Sequence, residues 1–292
     1  MKIAIVQGVV HAKQLNYEEP KNISWMSNEE FYSTYINNTK AWAKRMGYDY
    51  YLFNNVIKPK RLLDSSANYL NRCDLRTQLF VYRYWWLKKV AQDYDLICWI
   101  DSDVGIVGNP DILSFCVTDK LNVATARRTL QYLNWSCEVP DGWFSCMSPK
   151  RLNHFTDWIE NVLTDKSAQS DLLITLITIL GKPHDEHLLT CYHEEGNAHH
   201  INFIDLPNDS LKIVRRDDEI VESLTQDAIV HFSGSDKLRM GKLFTTYVTY
   251  LKYLKASKKR HSSIRHTITK FSNEELDELY SITKNKLKEL TE

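Results

Sequence analysis

Short apolar runs alternate with longer segments of helical periodicity along the first hundred residues. The runs are rich in β-branched and aromatic side chains, which predicts strands over residues 2–6, 48–53 and 96–100. Ser27 and Glu30 form a capping-box pattern at the start of one helical segment, and Gly47 supplies its end. A second, aromatic-rich helical segment covers residues 74–91. A β-α-β-α-β order is typical of a mainly parallel sheet flanked by helices.

The alternation continues towards the end of the chain. Strands are predicted over residues 121–126, 142–147, 201–204 and 228–232, and helices over residues 149–163, 170–180 and 185–193. Ser272 and Glu275 open a closing amphipathic helix with a second capping box, and residues 252–266 before it carry basic side chains and no acidic one. We therefore expect an α/β domain over residues 1–250 and a C-terminal helical appendage with a basic segment over residues 251–292.

Composition changes this picture little. The chain has 292 residues, 43% hydrophobic and 12% aromatic, which excludes a disordered or low-complexity protein. Lys+Arg and Asp+Glu number 37 each, so no global charge attracts nucleic acid or anionic membrane. The longest strongly apolar run, residues 172–180, is far shorter than the roughly 20 residues that a membrane span needs. We expect a cytoplasmic protein without a transmembrane segment.

The six cysteines contain no CxxC pair. Cys98 and Cys146 stand inside apolar runs, where a free thiol behaves as a small hydrophobic side chain. The pattern therefore predicts free thiols in a reducing compartment.

The strongest chemical signal is a pair of carboxylates, Asp101 and Asp103, directly after the apolar run at 96–100. A small-residue turn ending in Asn109 and Pro110 follows them. Residues i and i+2 of an extended chain point to the same side, so both carboxylates can share one hard cation that also binds phosphate oxygens. Ligands bind beyond the carboxyl ends of strands in such sheets, which favours a metal site here over a solvated turn.

A second motif stands near the end of the predicted sheet. His231 lies at the end of a strand, where a neutral imidazole can join the two carboxylates as a metal ligand. Gly234 lets the backbone approach a diphosphate, and Lys237 adds a positive charge to it. An imidazole beside carboxylates favours Mn²⁺ over Mg²⁺.

Together these motifs resemble the metal-dependent, GT-A-fold glycosyltransferases, in particular the galactosyl/xylosyltransferase and glycogenin-like groups. The resemblance extends from residue 1 to about 240. The motifs that carry it are Ile3 to Gly8, Gly47-Tyr48-Asp49-Tyr50, Arg76, Asp101-Ser102-Asp103 with Asn109-Pro110, Gly142-Trp143-Phe144, Asp185-Glu186, and His231-Phe232-Ser233-Gly234 with Lys237.

The resemblance implies a GT-A, Rossmann-like fold and a hexosyl- or pentosyltransferase that uses a nucleoside-diphosphate sugar, with uridine diphosphate as the expected carrier. It implies metal ligands at Asp101, Asp103 and His231, and catalytic acids at Asp185 and Glu186, which could equally be a helix N-cap with a first-turn acid. The implied donor-binding residues are Gln7, Gly8, Arg76, Ser102, Gly234 and Lys237. Retention of anomeric configuration is implied too, although Glu186 stands where Gln is commoner and Pro140-Asp141 replaces the usual Asn.

Several features have simpler interpretations. The aromatic side chains Tyr82, Tyr84, Trp85 and Trp86 are interpreted as packing. Arg127 and Arg128 are interpreted as an exposed basic pair, and the histidines at 193, 199 and 200 as loop residues, since they lack the spacing of a zinc site.

Alternative functions remain at this point. An apolar strand ending in D-x-D-x-G also resembles the nucleophile motif of haloacid-dehalogenase-like phosphatases, although Asp101 comes late in the chain for that family. A non-catalytic protein that binds a sugar nucleotide is the other alternative. The acceptor of a transferase is expected to be a glycan or a lipid-linked sugar. A modified DNA base of a virus or phage is the alternative acceptor, with phosphate contacts from residues 252–266.

Overall fold

The computed structural model describes residues 1–9, 28–54, 57, 59–65, 68–73, 75–130, 135–180, 185–206, 211–214, 227–232, 237–258 and 268–290. The chain divides into two compact units. The first unit consists of Met1–Glu19, Ala43–Ser102 and Asp111–Asn208, and the second of Pro20–Trp42, Asp103–Pro110 and Asp209–Glu292.

Strands and helices are numbered along the chain over the described residues. The strands are β1 (Ile3–Gly8), β2 (Asp49–Phe53), β3 (Leu96–Ile100), β4 (Val104–Val107), β5 (Leu121–Leu130), β6 (Trp135–Met147), β7 (Ile201–Asp205), β8 (Leu211–Val214) and β9 (Ala228–Phe232). The helices are α1 (Asn28–Met46), α2 (Lys60–Asp64), α3 (Leu75–Val90), α4 (Pro149–Thr164), α5 (Asp171–Leu180), α6 (Asp185–Tyr192), α7 (Lys237–Ala256) and α8 (Asn273–Glu289).

The first unit is built on a six-stranded sheet of order β2-β1-β3-β6-β5-β7. β1 pairs in parallel with β2 and β3, and β5 with β7, while β6 runs antiparallel to β3 and β5. Five strands therefore share one direction. This arrangement confirms the predicted mainly parallel sheet and is consistent with a GT-A, Rossmann-like fold.

The core of the first unit follows from the buried strands and the aromatic helix α3. All five residues of β3 are buried, as the continuous apolar run predicts for a central strand. The ring of Trp86 packs on Trp99 and lies so close to Gly8 that any side chain at that position would collide with it. Tyr82, Tyr84 and Trp85 are buried in the same core, which confirms that these aromatic side chains pack.

The predicted helix ends agree with the observed ones to within one residue wherever both are described. Gly47 ends α1 with a φ of 73°, in the left-handed region that favours glycine, and Tyr48 N donates to Ala43 O at 2.8 Å. The closing helix α8 begins with the predicted capping box of Ser272 and Glu275. Ser27 and Asp74, the predicted starts of the first two long helices, lie outside the described residues.

The second unit has its own sheet of order β4-β9-β8, with β4 antiparallel and β8 parallel to β9. Its core joins β9 to Tyr35 of α1 and to apolar side chains of α7 and α8. Gly105 lets β4 lie against the ring of Phe244, whose nearest atom would be 2.6 Å from a Cβ at this position. The turn predicted after Asp103 is thus corrected in part, since Val104–Val107 forms a strand before the turn at residues 108–110.

The expectation of free thiols at Cys98 and Cys146 is wrong. The two residues lie opposite each other in β3 and β6 and are joined by a disulfide bond. They are 48 residues apart in sequence, so only the strand pairing brings them together.

The described residues after β9 form two α-helices, α7 and α8, of which α7 was not predicted. The predicted domain boundary between residues 250 and 251 lies within α7, and Ile268 and Leu276 beyond it belong to the core of the second unit. The two compact units do not divide the chain at this boundary. The assignment of residues 251–292 as an appendage stays a prediction. No helix among the described residues is long and apolar enough to span a membrane.

Candidate active site

Asp101 follows the carboxyl end of β3 in the first unit, and its main chain is fixed from both sides. Its N–H donates to the Trp143 carbonyl of β6 at 2.9 Å. Its carbonyl accepts from the Gln7 amide of β1 at 2.9 Å, and Gln7 in turn accepts from the Tyr50 hydroxyl at 2.8 Å. Strands β6 and β1 therefore hold the backbone that carries the first carboxylate, and Tyr50 of β2 fixes the Gln7 side chain that does so.

The Asp101 carboxylate is oriented by two donors. Trp99 Nε1 donates to Asp101 Oδ1 at 2.5 Å, and Arg83 Nη1 lies 3.3 Å from the same oxygen. Asp101 directly follows β3 and comes two residues after Trp99, so in extended chain their side chains share a side of the sheet. Hydrogen bonds to a charged oxygen are strong and directional, and they limit the rotation of this carboxylate.

Arg83 also forms a buried ion pair with Asp185, the first residue of α6. Arg83 is 2% exposed and Asp185 1% exposed. Burial alone would lower the pKa of Arg83, but the charges of Asp185 and Asp101 outweigh it and raise that pKa above its usual value. The guanidinium therefore stays charged and links α6 to the end of β3.

Gly142 of β6 makes room for this ion pair. A Cβ at Gly142 would collide with the Asp185 carboxylate and the Arg83 guanidinium. The glycine that begins the Gly142-Trp143-Phe144 motif is thus required by close approach of an ion pair.

Asp103 and His231 lie together in the second unit. Asp103 Oδ1 is 3.5 Å from His231 Nε2, and the residues are 9% and 8% exposed. His231 is opposite Val104 in the antiparallel pairing of β4 and β9, and the next residue of β9, Phe232, donates its N–H to Asp103 O at 3.2 Å. The strand pairing thus brings together two residues that are 128 positions apart.

Of the remaining predicted site residues, the structure describes the side chains of Ser102 and Glu186. Ser102 and Glu186 are half-buried, in the turn after β3 and in the first turn of α6. Arg76 and Lys237 stand on α3 and α7, but their side chains, together with all of Gly234, lie outside the described part of the chain. Lys237 is the first residue of α7.

Sequence reasoning missed Arg83 and Trp99. Arg83 is the one charged residue among nine otherwise apolar or aromatic positions, 79–87, and such a charge is rarely buried without a partner. Trp99 precedes Asp101 by two residues, and the alternation of a strand would have placed the two side chains together.

Comparisons with known proteins give structural similarity and no sequence match. No protein-family model matches the chain, and no curated protein matches it by sequence. A solved structure described as a glycosyltransferase involved in the glycosylation of the major capsid of PBCV-1 is similar over 84% of this chain and 98% of that chain, with 13% sequence identity and a TM-score of 0.47. A similarity this distant assigns no function to the chain.

Proposed function

We propose that the chain is a metal-dependent glycosyltransferase that moves a sugar from a nucleoside-diphosphate sugar to a hydroxyl acceptor. One observation carries the proposal. The Asp103 carboxylate lies 3.5 Å from His231 Nε2, and Asp103 comes two residues after Asp101, whose carboxylate follows the central strand β3. Paired acids with an imidazole at this place in an α/β sheet suit a cation that binds a diphosphate.

The donor set fits a divalent metal ion. Asp101 and Asp103 are separated only by Ser102, so the chain keeps their Cα atoms within about 7 Å. With His231 they offer two carboxylates and one imidazole, a set that suits Mn²⁺ better than Ca²⁺. When bound, the ion would neutralise charge that develops on the departing diphosphate.

The residues of the chain then have distinct tasks. Asp101, Asp103 and His231 would hold the ion, and Arg83 with Trp99 keeps the Asp101 carboxylate in one orientation. Gln7 fixes the backbone of Asp101, and the resemblance implies that it would also contact the donor. Lys237 would add charge to the diphosphate. Glu186 is the candidate to contact sugar or acceptor, because Asp185 is committed to its ion pair with Arg83.

The proposal also covers the sugar donor and the stereochemistry of the transfer. We take a uridine diphosphate sugar as donor and transfer with retention of configuration, as the sequence resemblance implies. The acceptor we propose is a glycan or a lipid-linked sugar.

The first experiment measures metal and nucleotide binding together. Thermal unfolding is followed with nucleoside diphosphates and Mn²⁺, Mg²⁺ or a chelator, because a ligand of the native state raises the unfolding temperature. We expect one nucleoside diphosphate to stabilise the protein only with the metal. If no nucleotide shifts the unfolding temperature under any condition, the proposal is wrong.

The second experiment tests the ligands. Asp103→Asn and His231→Gln should each weaken Mn²⁺ binding in calorimetry by at least about tenfold, since the first removes a carboxylate charge and the second an imidazole nitrogen. Asp157→Asn, which changes a carboxylate with a 71% exposed side chain, serves as the matched control and should bind as the wild type does. If Asp103→Asn binds Mn²⁺ with wild-type affinity, Asp103 is not a ligand of the metal.

The stereochemistry is tested separately. NMR of the product anomer decides between retention and inversion of configuration.

A further inference from the structure

Helices α7 and α8 run side by side in the same direction within the second unit. Arg239 Nη1 donates to the Asn273 side chain at 3.0 Å, and Lys242 Nζ lies 2.6 Å from the Asp277 carboxylate. The second contact lies three residues after the first on α7 and four residues after it on α8. The two helices are therefore parallel over this stretch, and their C-termini point to the same end of the unit.

The two helices also reach that end at similar distances. Lys255 comes thirteen positions after Lys242, and Leu290 comes thirteen positions after Asp277. At a rise of about 1.5 Å per residue, both segments advance by about 20 Å from the shared contact. By this helical geometry the last turns of α7 and α8 reach the same end of the second unit, and we call the residues exposed there the basic end.

The basic end carries an excess of exposed lysines. Its lysines, all exposed, are Lys252, Lys255 and Lys258 from α7 and the residues after it, and Lys284, Lys286 and Lys288 from α8. Residues 252–258 contain no acid, and residues 281–290 contain only Glu289. The acids of α8 before Glu289 stand in its first two turns, where Asp277 pairs with Lys242.

Helix dipoles explain only part of this charge. A lysine in the last turn stabilises a helix C-terminus by a few tenths of a kcal/mol to about 1 kcal/mol. Lys252 and Lys284 stand before the last turns, and the interaction with the dipole decays within one turn. Six lysines with one acid therefore exceed what two helix ends require.

Exposed aliphatic side chains accompany the lysines. Ile282 is 44% exposed and Leu290 51% exposed, and they are two of the few large hydrophobic side chains so exposed among the described residues. They share an α8 stripe with Lys286, since the three are spaced four residues apart. The phosphate backbone of a nucleic acid has no apolar surface on which an aliphatic side chain could be buried. An anionic bilayer has acidic headgroups that attract lysine and, beside them, an apolar region that can bury an aliphatic side chain.

We propose that the basic end is a docking surface for an anionic membrane. The lysines contact lipid phosphates with their aliphatic stems along the surface, and Ile282 and Leu290 enter the boundary between headgroups and acyl chains. The proposal does not depend on the proposed enzymatic activity. It assigns a lipid surface to a segment for which the sequence alone left nucleic acid open.

Vesicle co-sedimentation of the full chain tests the proposal. Binding is measured to phosphatidylcholine vesicles with about one-third phosphatidylglycerol and to pure phosphatidylcholine, at low and high salt. We expect binding to the acidic vesicles that high salt weakens. The double variant Lys255→Glu/Lys286→Glu should bind them at least about thirty-fold more weakly.

A matched control separates local charge from net charge. Lys44→Glu/Lys89→Glu also reverses two exposed lysines in last helical turns, of α1 and α3, and should bind as the wild type does. Equal loss in both double variants, or no vesicle binding by the wild type, overturns the proposal.

A second pair of variants distinguishes a membrane from nucleic acid. Ile282→Ser/Leu290→Ser keeps every charge and should weaken vesicle binding several-fold. Duplex DNA bound more tightly than acidic vesicles, with no effect of this variant, would identify a nucleic-acid surface and reject the membrane. Thermal unfolding of every variant confirms that it is folded.

Discussion

At the scale of single residues, the candidate site depends on one buried charge. Arg83 pairs with the buried Asp185 and also reaches the Asp101 carboxylate. A buried ion pair contributes little to stability relative to an apolar pair of the same volume, but removal of one partner leaves an uncompensated charge. The pair therefore serves to position Asp101, and its loss is costly in stability and in function.

Removal of Arg83 alone should be worse than removal of both partners. We expect Arg83→Met to lower the free energy of unfolding by about 3–5 kcal/mol, because Asp185 stays buried without its cation. The double variant Arg83→Met/Asp185→Leu should recover much of that loss in urea unfolding. On the same helix, Lys88→Met removes the partner of an exposed carboxylate and should change stability by less than about 0.5 kcal/mol. Additive effects of the two buried changes would show that the pair is not coupled.

Gly142 offers a second test at this scale. We expect Gly142→Ala to cost about 1–3 kcal/mol of stability and to lower turnover, since the new methyl group displaces Arg83 and Asp185. Gly47→Ala is the comparison, because Gly47 has open space around it and only a φ of 73° to maintain. It should cost about 1 kcal/mol without an effect on turnover. A Gly142→Ala protein with wild-type turnover would contradict the positioning of Asp101 by Arg83.

At the scale of elements, the sequence predicts most strands and helices because local patterns define them. β3 and β9 begin and end at the predicted residues, and α4 and α6 differ by one residue at their ends. The short strand β4 was missed because its four residues, which include a glycine, resemble a turn until β9 pairs with them. The long helix α7 was missed because its polar and apolar positions give only a weak helical pattern.

The capping box of α8 gives a prediction for this scale. Ser272 accepts from Glu275 N at 3.2 Å, and Ser272 N donates to the Glu275 carboxylate at 2.6 Å. Ser272→Ala should lower the free energy of unfolding by about 1 kcal/mol in urea denaturation. Ser281→Ala, an exposed change in the middle of the same helix, should be neutral or slightly stabilising, since alanine favours helix. Equal effects of the two variants would mean that the cap contributes nothing.

At the scale of the whole molecule, positive and negative side chains are equal in number but unevenly distributed. Lys+Arg and Asp+Glu number 37 each, yet six lysines and one acid stand at the basic end of α7 and α8. A zero net charge gives no long-range steering, so any attraction to a charged partner is local and short-ranged under physiological salt.

The zero net charge predicts a solubility minimum near neutral pH. Lowering the pH from 7 to about 5.5 adds protons to a chain whose formal net charge is zero at pH 7, and so makes the protein cationic. We expect solubility in a polyethylene glycol precipitation assay to increase over this interval, because net repulsion opposes association. Near-ultraviolet circular dichroism provides the control that the fold is retained. A solubility that falls at pH 5.5 in a folded protein would contradict this explanation.

The sequence by itself determined most of the strands and helices and the types of side chain expected to bind a metal. Apolar periodicity predicts the mainly parallel sheet, and two acids after a buried strand predict a cation site there because ligands bind at strand ends. These features depend on residues near one another in the chain, where the period of a helix or strand decides which side chains share a face.

Only the tertiary structure decided which distant residues meet. The contact of Asp103 with His231, the ion pair of Arg83 with Asp185, and the bond of Cys98 with Cys146 each join parts of the chain that no local pattern relates. The parallel course of α7 and α8, which gathers the lysines, is likewise set by contacts between helices. Long-range pairing depends on strand register and side-chain packing, and these are properties of the folded chain as a whole.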